Sequence, residues 1–299
     1  MSDILNLKAY AKINLGLDVI RQRDDGYHEV KMVMQTVDLF DRIFLERTGE
    51  DGIDIRTNHY SLPTNEGNIA YKAAKMLFDE FSIRGGLNIQ LQKYIPVAAG
   101  MAGGSADAAA VLCGVNAFYS LGLSEKELME RAIKIGADVP YCIMGGTAVS
   151  EGIGEILRPL PSVPDCSIVI AKPPIDVSTK YIYENLHVNT IPKEEHPDMD
   201  KVIERLENQD LWGAAAYMEN ILERVTQTEY PVIGEIKDVM SSNGAMVSLM
   251  SGSGPTVFGL FEDEKAAKRC YEQLRFGQMK TKVKEIYLTG MHRREDVRF

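Results

Sequence analysis

The segment Pro96-Val97-Ala98-Ala99-Gly100-Met101-Ala102-Gly103-Gly104-Ser105-Ala106-Asp107 constrains this chain more than any other stretch of its 299 residues. It is a run of small residues leading straight into Ala106 to Tyr119, an Ala-rich stretch with the composition of a helix. Small side chains let backbone N–H groups close on phosphate oxygens, and a helix N-terminus adds unpaired donors and the positive end of its dipole. The same composition also suits a flexible connection packed closely on a helix. No Gly-Lys-Ser/Thr follows, so the loop is not a Walker A motif, and its glycines do not have the G-x-G-x-x-G spacing of a dinucleotide fingerprint. A phosphate site of another kind needs partners elsewhere in the chain.

Ahead of the loop the pattern is mostly strand. From Ala11 to Ile20, apolar Ala11, Ile13, Leu15, Leu17 and Val19 alternate with Lys12, Asn14, Gly16 and Asp18, which places Lys12 and Asn14 on one face. Strands are also expected at Val30 to Val37, Asp41 to Arg47, Gly52 to Arg56 and Leu87 to Lys93, with a helix at Asn68 to Phe81. After the loop, Ser124 with Glu127 reads as a capping box opening a helix that ends near Gly136, and a short helix starts at Val139-Pro140. Arg158 to Pro164 holds Pro159, Pro161 and Pro164, which suits neither a helix interior nor a central strand. It is the expected boundary between an N-terminal domain, 1–160, and a C-terminal domain, 161–299, each with its own apolar core. Beyond it come a strand at Ser167 to Ala171, helices at Met199 to Glu207, Leu211 to Val225 and Val232 to Ser241, two strands flanking Gly252-Ser253-Gly254, and a final helix and strand. The mixture is an α+β pattern.

Composition narrows the function classes. A net charge of −10 opposes broad contact with nucleic acid or an anionic membrane, so any phosphate site must be local. Cys113, Cys142, Cys166 and Cys270 lie far apart, which suggests buried thiols rather than a zinc site or a disulfide framework. The opening MSDILNLKAY is not a charged-then-apolar leader, and no apolar run reaches the roughly 18 residues of a membrane span, so a cytoplasmic location is expected.

Several residues stand out as candidates for chemistry. Lys12, mid-strand among apolar neighbours, either lies exposed on a solvated sheet face or is buried and needs an anionic partner. Asp138, in Gly136-Ala137-Asp138-Val139-Pro140, could be that partner, or it could simply cap the helix that follows. Gly252, Ser253 and Gly254 form either a hairpin turn or a backbone surface that approaches a ligand. Tyr27 and His28 could stack on a base and hydrogen-bond its edge, or serve as packing and surface residues.

Three segments in this order, AKINLGL, PVAAGMAGGSADAAA and SGSGPTVF, resemble the signature motifs of the GHMP kinases, and the likeness spans nearly the whole chain. The extension RQRDDGYHEV and the segment GADVPYC narrow it to members whose substrate is a cytidine-diphosphate-linked methylerythritol. The resemblance implies a two-domain fold, with an N-terminal domain like the second domain of ribosomal protein S5 and a ferredoxin-like C-terminal domain. It implies transfer of the ATP γ-phosphoryl group, with Mg²⁺, to the 2-hydroxyl of the methylerythritol moiety, a step of the non-mevalonate route to isoprenoids. Residues Pro96 to Ala106 would bind ATP. Asp138 would accept the hydroxyl proton, Lys12 would hold that aspartate and substrate oxygens, and Asn14 would bind substrate. Tyr27, His28 and, opposite them, Tyr183 would recognise cytosine, with Gly252, Ser253 and Gly254 also at the substrate. Where Leu and Gly are frequent in the family loop, this chain has Met101 and Ala102, and Ala102 lacks glycine's access to positive φ. The metal ligands are open, with the Ser105 hydroxyl a candidate. The chain could be a monomer or a homodimer. Two rivals remain: another GHMP enzyme, such as mevalonate, homoserine or galactose kinase or diphosphomevalonate decarboxylase, and an S5-like RNA-binding module, which the charge opposes.

Overall fold

The computed structural model describes residues 4–296. Two long antiparallel strands organise the first half, β1 (Ile4–Gln22) and β2 (His28–Thr48). Next come β3 (Gly52–Thr57), α1 (Ile69–Glu80) and β4 (Gly86–Gln92), a unit in which β3 and β4 run parallel. Helices α2 (Gly103–Phe118), α3 (Glu125–Ala132) and α4 (Val139–Met144) follow, then strands β5 (Thr147–Glu151) and β6 (Ile156–Pro159). These strands form a sheet ordered β3-β4-β2-β5-β6, with β1 also paired to β2. Their helices pack on one face, where Leu77, Ala109, Leu112 and Tyr141 join Leu45, Leu87 and Ile89 in one apolar cluster.

The second half begins with β7 (Ser167–Lys172) and a helical stretch, α5 (Thr179–Asn185), α6 (Met199–Glu207), α7 (Leu211–Ala215), α8 (Glu223–Glu229) and α9 (Val232–Ser242). The hairpin β8 (Val247–Met250) and β9 (Val257–Phe261), α10 (Glu264–Phe276) and β10 (Glu285–Gly290) complete it. Its antiparallel sheet has the order β10-β7-β9-β8, which by rank is 4-1-3-2, the ferredoxin-like arrangement.

The expected strands at 30–37 and 41–47 are one continuous β2, and β1 reaches back to Ile4. The capping box at Ser124 is present, but its helix stops at Ala132. The expected helix at 211–225 is two short ones, because the chain between them turns to bridge β1: the Leu17 N–H donates to the Glu219 carbonyl (2.9 Å) and the Ile221 N–H to the Leu17 carbonyl (3.0 Å). Nor does each half keep a core to itself. Ala11, Ile13, Leu15 and Val33 pack with Ile168, Ile170, Met199 and Phe258, and Leu17 and Val19 pack with Val169, Ile221 and Phe261.

Candidate active site

The strand β1 places its functional side chains by a change of face. Leu7 and Ala9 belong to the cluster beneath the helices, whereas Ala11, Ile13 and Leu15 belong to the one shared with the second half. Between them the β1–β2 register shifts, at Tyr10/Lys12, and one extra residue in a strand turns every later side chain to the other side. Lys12 and Asn14 therefore point toward the helices. Every residue from Ala11 to Val19 is buried, so the exposed-lysine alternative does not hold. Lys12 Nζ donates to Asn14 Oδ1 at 2.7 Å, and Asn14 Nδ2 lies 3.4 Å from Met32 Sδ. Among the described residues no carboxylate forms an ion pair with Lys12 within 4.0 Å, so its partner is the Asn14 amide and not Asp138.

Asp138 stands at the N-cap position of α4, but its side chain makes no cap hydrogen bond. The capping alternative thus fails on geometry, and the carboxylate is left to face the cleft. Nearby, burial pushes the Tyr183 phenol up, with the negative Asp138 adding to it. His28 and Tyr183 lie together, ring centroids 5.1 Å apart and tilted by 56°, and burial pushes the His28 imidazole down, toward the neutral form.

The three motif segments are knitted by their backbones. The Lys12 N–H donates to the Met101 carbonyl (3.2 Å), and the Ser251 hydroxyl donates to the Gly100 carbonyl (2.9 Å). Gly100 has φ +70°, and a Cβ there would lie 2.1 Å from the Ser251 carbonyl oxygen, so only glycine permits this approach. Ala102, the N-cap residue of α2, takes the left-handed conformation (φ 55°) despite its Cβ, and the loop follows the path a glycine would.

Two cavities adjoin at this loop. One, of about 330 Å³, is lined by Pro96, Val97, Ala98, Ala99, Gly103 and Gly104, with Asn68 and Lys93. The other, of about 830 Å³, is lined by Lys12, Asn14, Ser105 and Asp138, by Tyr27, His28 and Tyr183, and by Gly252 and Ser253. Gly100 and Ala102 line both. Three expected residues face neither: the Met101 and Ala106 side chains are buried in the core, and Gly254 backs the turn, where a Cβ would meet Met250 Sδ at 2.5 Å. The Gly252 segment is both the β8–β9 hairpin turn and a cleft wall, tied to α5 by the Thr179 and Ser253 hydroxyls at 2.7 Å.

A buried charged cluster also lies under the small-residue loop, joining residues from three separate segments. The Lys93 ammonium bonds both Asp41 and Asp107, and the other Asp41 oxygen accepts the N–H groups of Tyr94 and Ile95. Burial works against the Lys93 charge, but the two carboxylates more than offset it and hold its pKa up; burial also pushes the Asp107 carboxyl well up, with Lys93 opposing. The signal was available. Asp107 is the one charged residue in Gly103–Phe118, and a carboxylate buried in an apolar helix requires a cation. Asn220 and Glu223 were also missed, inside the stretch read as continuous helix.

Residues 68–146 match the family described as GHMP kinases N terminal domain, and residues 180–277 match GHMP kinases C terminal. A 4-diphosphocytidyl-2-C-methyl-D-erythritol kinase from Lachnoclostridium phytofermentans is 50% identical over 295 residues, covering 99% of this chain and 100% of that protein. One from Lachnospira eligens is 52% identical over 285 residues, covering 95% and 97%. A crystal structure of a 4-(cytidine 5'-diphospho)-2C-methyl-D-erythritol kinase superposes with a TM-score of 0.81 at 31% identity, over 96% of this chain and 99% of that one. Likeness of this extent displaces both the RNA-binding reading and the other GHMP enzymes. The chain belongs to the GHMP kinases and, within them, to the 4-diphosphocytidyl-2-C-methyl-D-erythritol kinase family.

Proposed function

We propose that the smaller cavity takes ATP and the larger one a cytidine-diphosphate-linked methylerythritol, whose 2-hydroxyl receives the γ-phosphoryl group as a step in isoprenoid precursor synthesis. The observation that carries this reading is the sharing of Gly100 and Ala102 by both cavities, which makes the two occupants neighbours across one loop. The backbone of Pro96 to Ser105 and the N-terminus of α2 cradle the ATP phosphates. The hydroxyl oxygen bonds to the γ-phosphorus as the bond from that phosphorus to the β–γ bridging oxygen breaks. ADP leaves, and the hydroxyl proton passes to the unpaired carboxylate of Asp138. Lys12, oriented by Asn14, offsets charge on the transferring group, so that catalysis rests on positioning and preset charge.

At the other end of the cleft, Tyr27 and Tyr183 offer ring faces to cytosine and a neutral His28 meets its edge. Lys180, on the first turn of α5, adds a second ammonium. It forms a long, exposed ion pair with Glu184 (3.8 Å), one weak enough to be exchanged for a diphosphate. Mg²⁺ takes oxygen ligands and keeps several waters. Among the described residues no group of three or more His, Cys, Asp or Glu side chains could hold a metal, which fits a cation carried mainly by phosphates and water beside the Ser105 hydroxyl. When bound, it would neutralise charge on the phosphoryl oxygens. The halves 1–160 and 161–299 would act as the two walls of the cleft, and since no helix among the described residues is long and apolar enough to cross a membrane, a cytoplasmic setting suits the reading.

The test is a coupled assay for ADP release with the cytidyl substrate, mevalonate and homoserine in parallel. Turnover should be confined to the first and vanish in Asp138→Ala. Tyr27→Ala should weaken binding of cytidine diphosphate about three- to tenfold in calorimetry and leave kcat nearly unchanged. Comparable turnover of mevalonate or homoserine would sink the substrate assignment.

A further inference from the structure

The hairpin turn that walls the cleft is held from behind by two side chains that never reach the cleft. Among the described residues, strand β8 is the edge of its sheet, with β9 on one side and no strand on the other. On the open side, Asn220 Nδ2 donates to the carbonyls of Met250 (2.7 Å) and Gly252 (2.8 Å), while Asn220 Oδ1 accepts the Leu222 N–H at 3.0 Å. Glu223 Oε1 accepts the Met250 N–H at 2.6 Å, and its other oxygen is engaged by Lys237 and by Gln227 Nε2. Both peptide groups of Met250, the last residue before the turn, are thus satisfied by side chains standing where a further strand would be.

The same clamp is anchored to β1, through the backbone bridge between Leu17 and the Glu219–Ile221 segment. Asn220 is 5% exposed, and neither it nor Glu223 lines the larger cavity. β1 carries Lys12 and Asn14, and the turn carries Gly252 and Ser253, with a Cβ at Gly252 lying 3.7 Å from Asn14 Oδ1. We propose that Asn220 and Glu223 are positioning residues for the phosphoryl transfer, fixing the spacing between the lysine-bearing strand and the Gly252–Ser253 wall. Burial of the carboxamide matters here. The Met250 carbonyl that it bonds belongs to a fully buried residue, so loss of the carboxamide leaves that acceptor without a ready partner and lets the turn shift. A shift of the order of an ångström at a reacting centre is enough to cost about a hundredfold in rate.

The inference rests on the substrate reading above, and wild-type turnover of the cytidyl substrate tests that reading separately. The experiment compares Asn220→Ala, Asn220→Asp, Glu223→Ala and Glu223→Gln with a control, Leu274→Ala, which opens a cavity beneath α10, a helix that lines neither cavity. For each, kcat, KM, the Kd for cytidine diphosphate and Tm are measured. Asn220→Ala and Asn220→Asp should lower kcat by about tenfold to a hundredfold and leave the Kd within about twofold, because the base-binding end is untouched. Glu223→Gln keeps an acceptor for the Met250 N–H and should retain kcat within about twofold, where Glu223→Ala does not. Leu274→Ala should lower Tm with kcat unchanged. The proposal is overturned if both Asn220 variants keep wild-type kcat, if kcat tracks Tm through the control, or if Glu223→Gln loses as much as Glu223→Ala. Should Asn220→Ala fail to fold, Asn220→Asp and the Glu223 pair decide it.

Discussion

Two buried lysines sit on either side of the small-residue loop, and their surroundings differ in one respect that separates scaffold from chemistry. Lys93 is wedged between Asp41 and Asp107, so its charge is fully answered inside the protein. Lys12 is at least as buried, but it is held by a neutral amide while Asp138, which lines the same cavity, stays unpaired. A buried cation that the protein has already neutralised has little left to offer a ligand. One restrained only by a dipole keeps most of its field for whatever enters.

The sharpest way to break this contrast is to remove each ammonium in turn. Lys12→Met should cut kcat by about 10²–10³-fold, the scale of losing one preset charge donor, and lower stability by less than about 2 kcal/mol. Lys93→Met should instead lower stability by about 3–5 kcal/mol, because it strands two buried carboxylates. Urea denaturation beside steady-state kinetics would read both, and equal loss of stability in the two variants would erase the distinction.

A smaller effect sits on Asp107. Its carboxyl is pushed up by burial, so its contribution to stability is complete below the unfolded value near 3.9 and is withdrawn as pH rises through the higher folded value. Stability of the wild type relative to Asp107→Asn should therefore decline as pH rises above about 4. A difference that stayed flat over that range would mean that Lys93 fully compensates both carboxylates. The smallest expected change is at Ala102, which lines both cavities. Ala102→Gly relieves about 1–2 kcal/mol of left-handed strain and adds about 0.4–1 kcal/mol of unfolded-state freedom, for a net gain of about 0–1.6 kcal/mol in thermal denaturation.

The contrast between the lysines was half legible in the sequence. Lys12 drew notice because a charge interrupts an alternating strand, and the three motif segments could be ordered toward one site from their residue types. Its partner could not be read, because the register shift after Tyr10 that turns its side chain is set by pairing with β2. Lys93 shows in the sequence only as a strand end, since Asp41 lies 52 residues away. The capping box at Ser124 was readable because it is a local contact. The break after Ala215 was not, since its cause is a bridge to Leu17 at the far end of the chain.

The first sheet lends a face of Ala11, Ile13, Leu15, Val33 and Val37 to apolar clusters completed by the second half. A fragment expressed without residues beyond the proline-rich connection would bare that face to water. Such a patch is sticky, and the fragment should aggregate unless the complementary piece is made alongside it. Split-enzyme schemes cut at this connection would then need no added dimerisation tag, because reunion of the two pieces would be driven by the burial they were built to share.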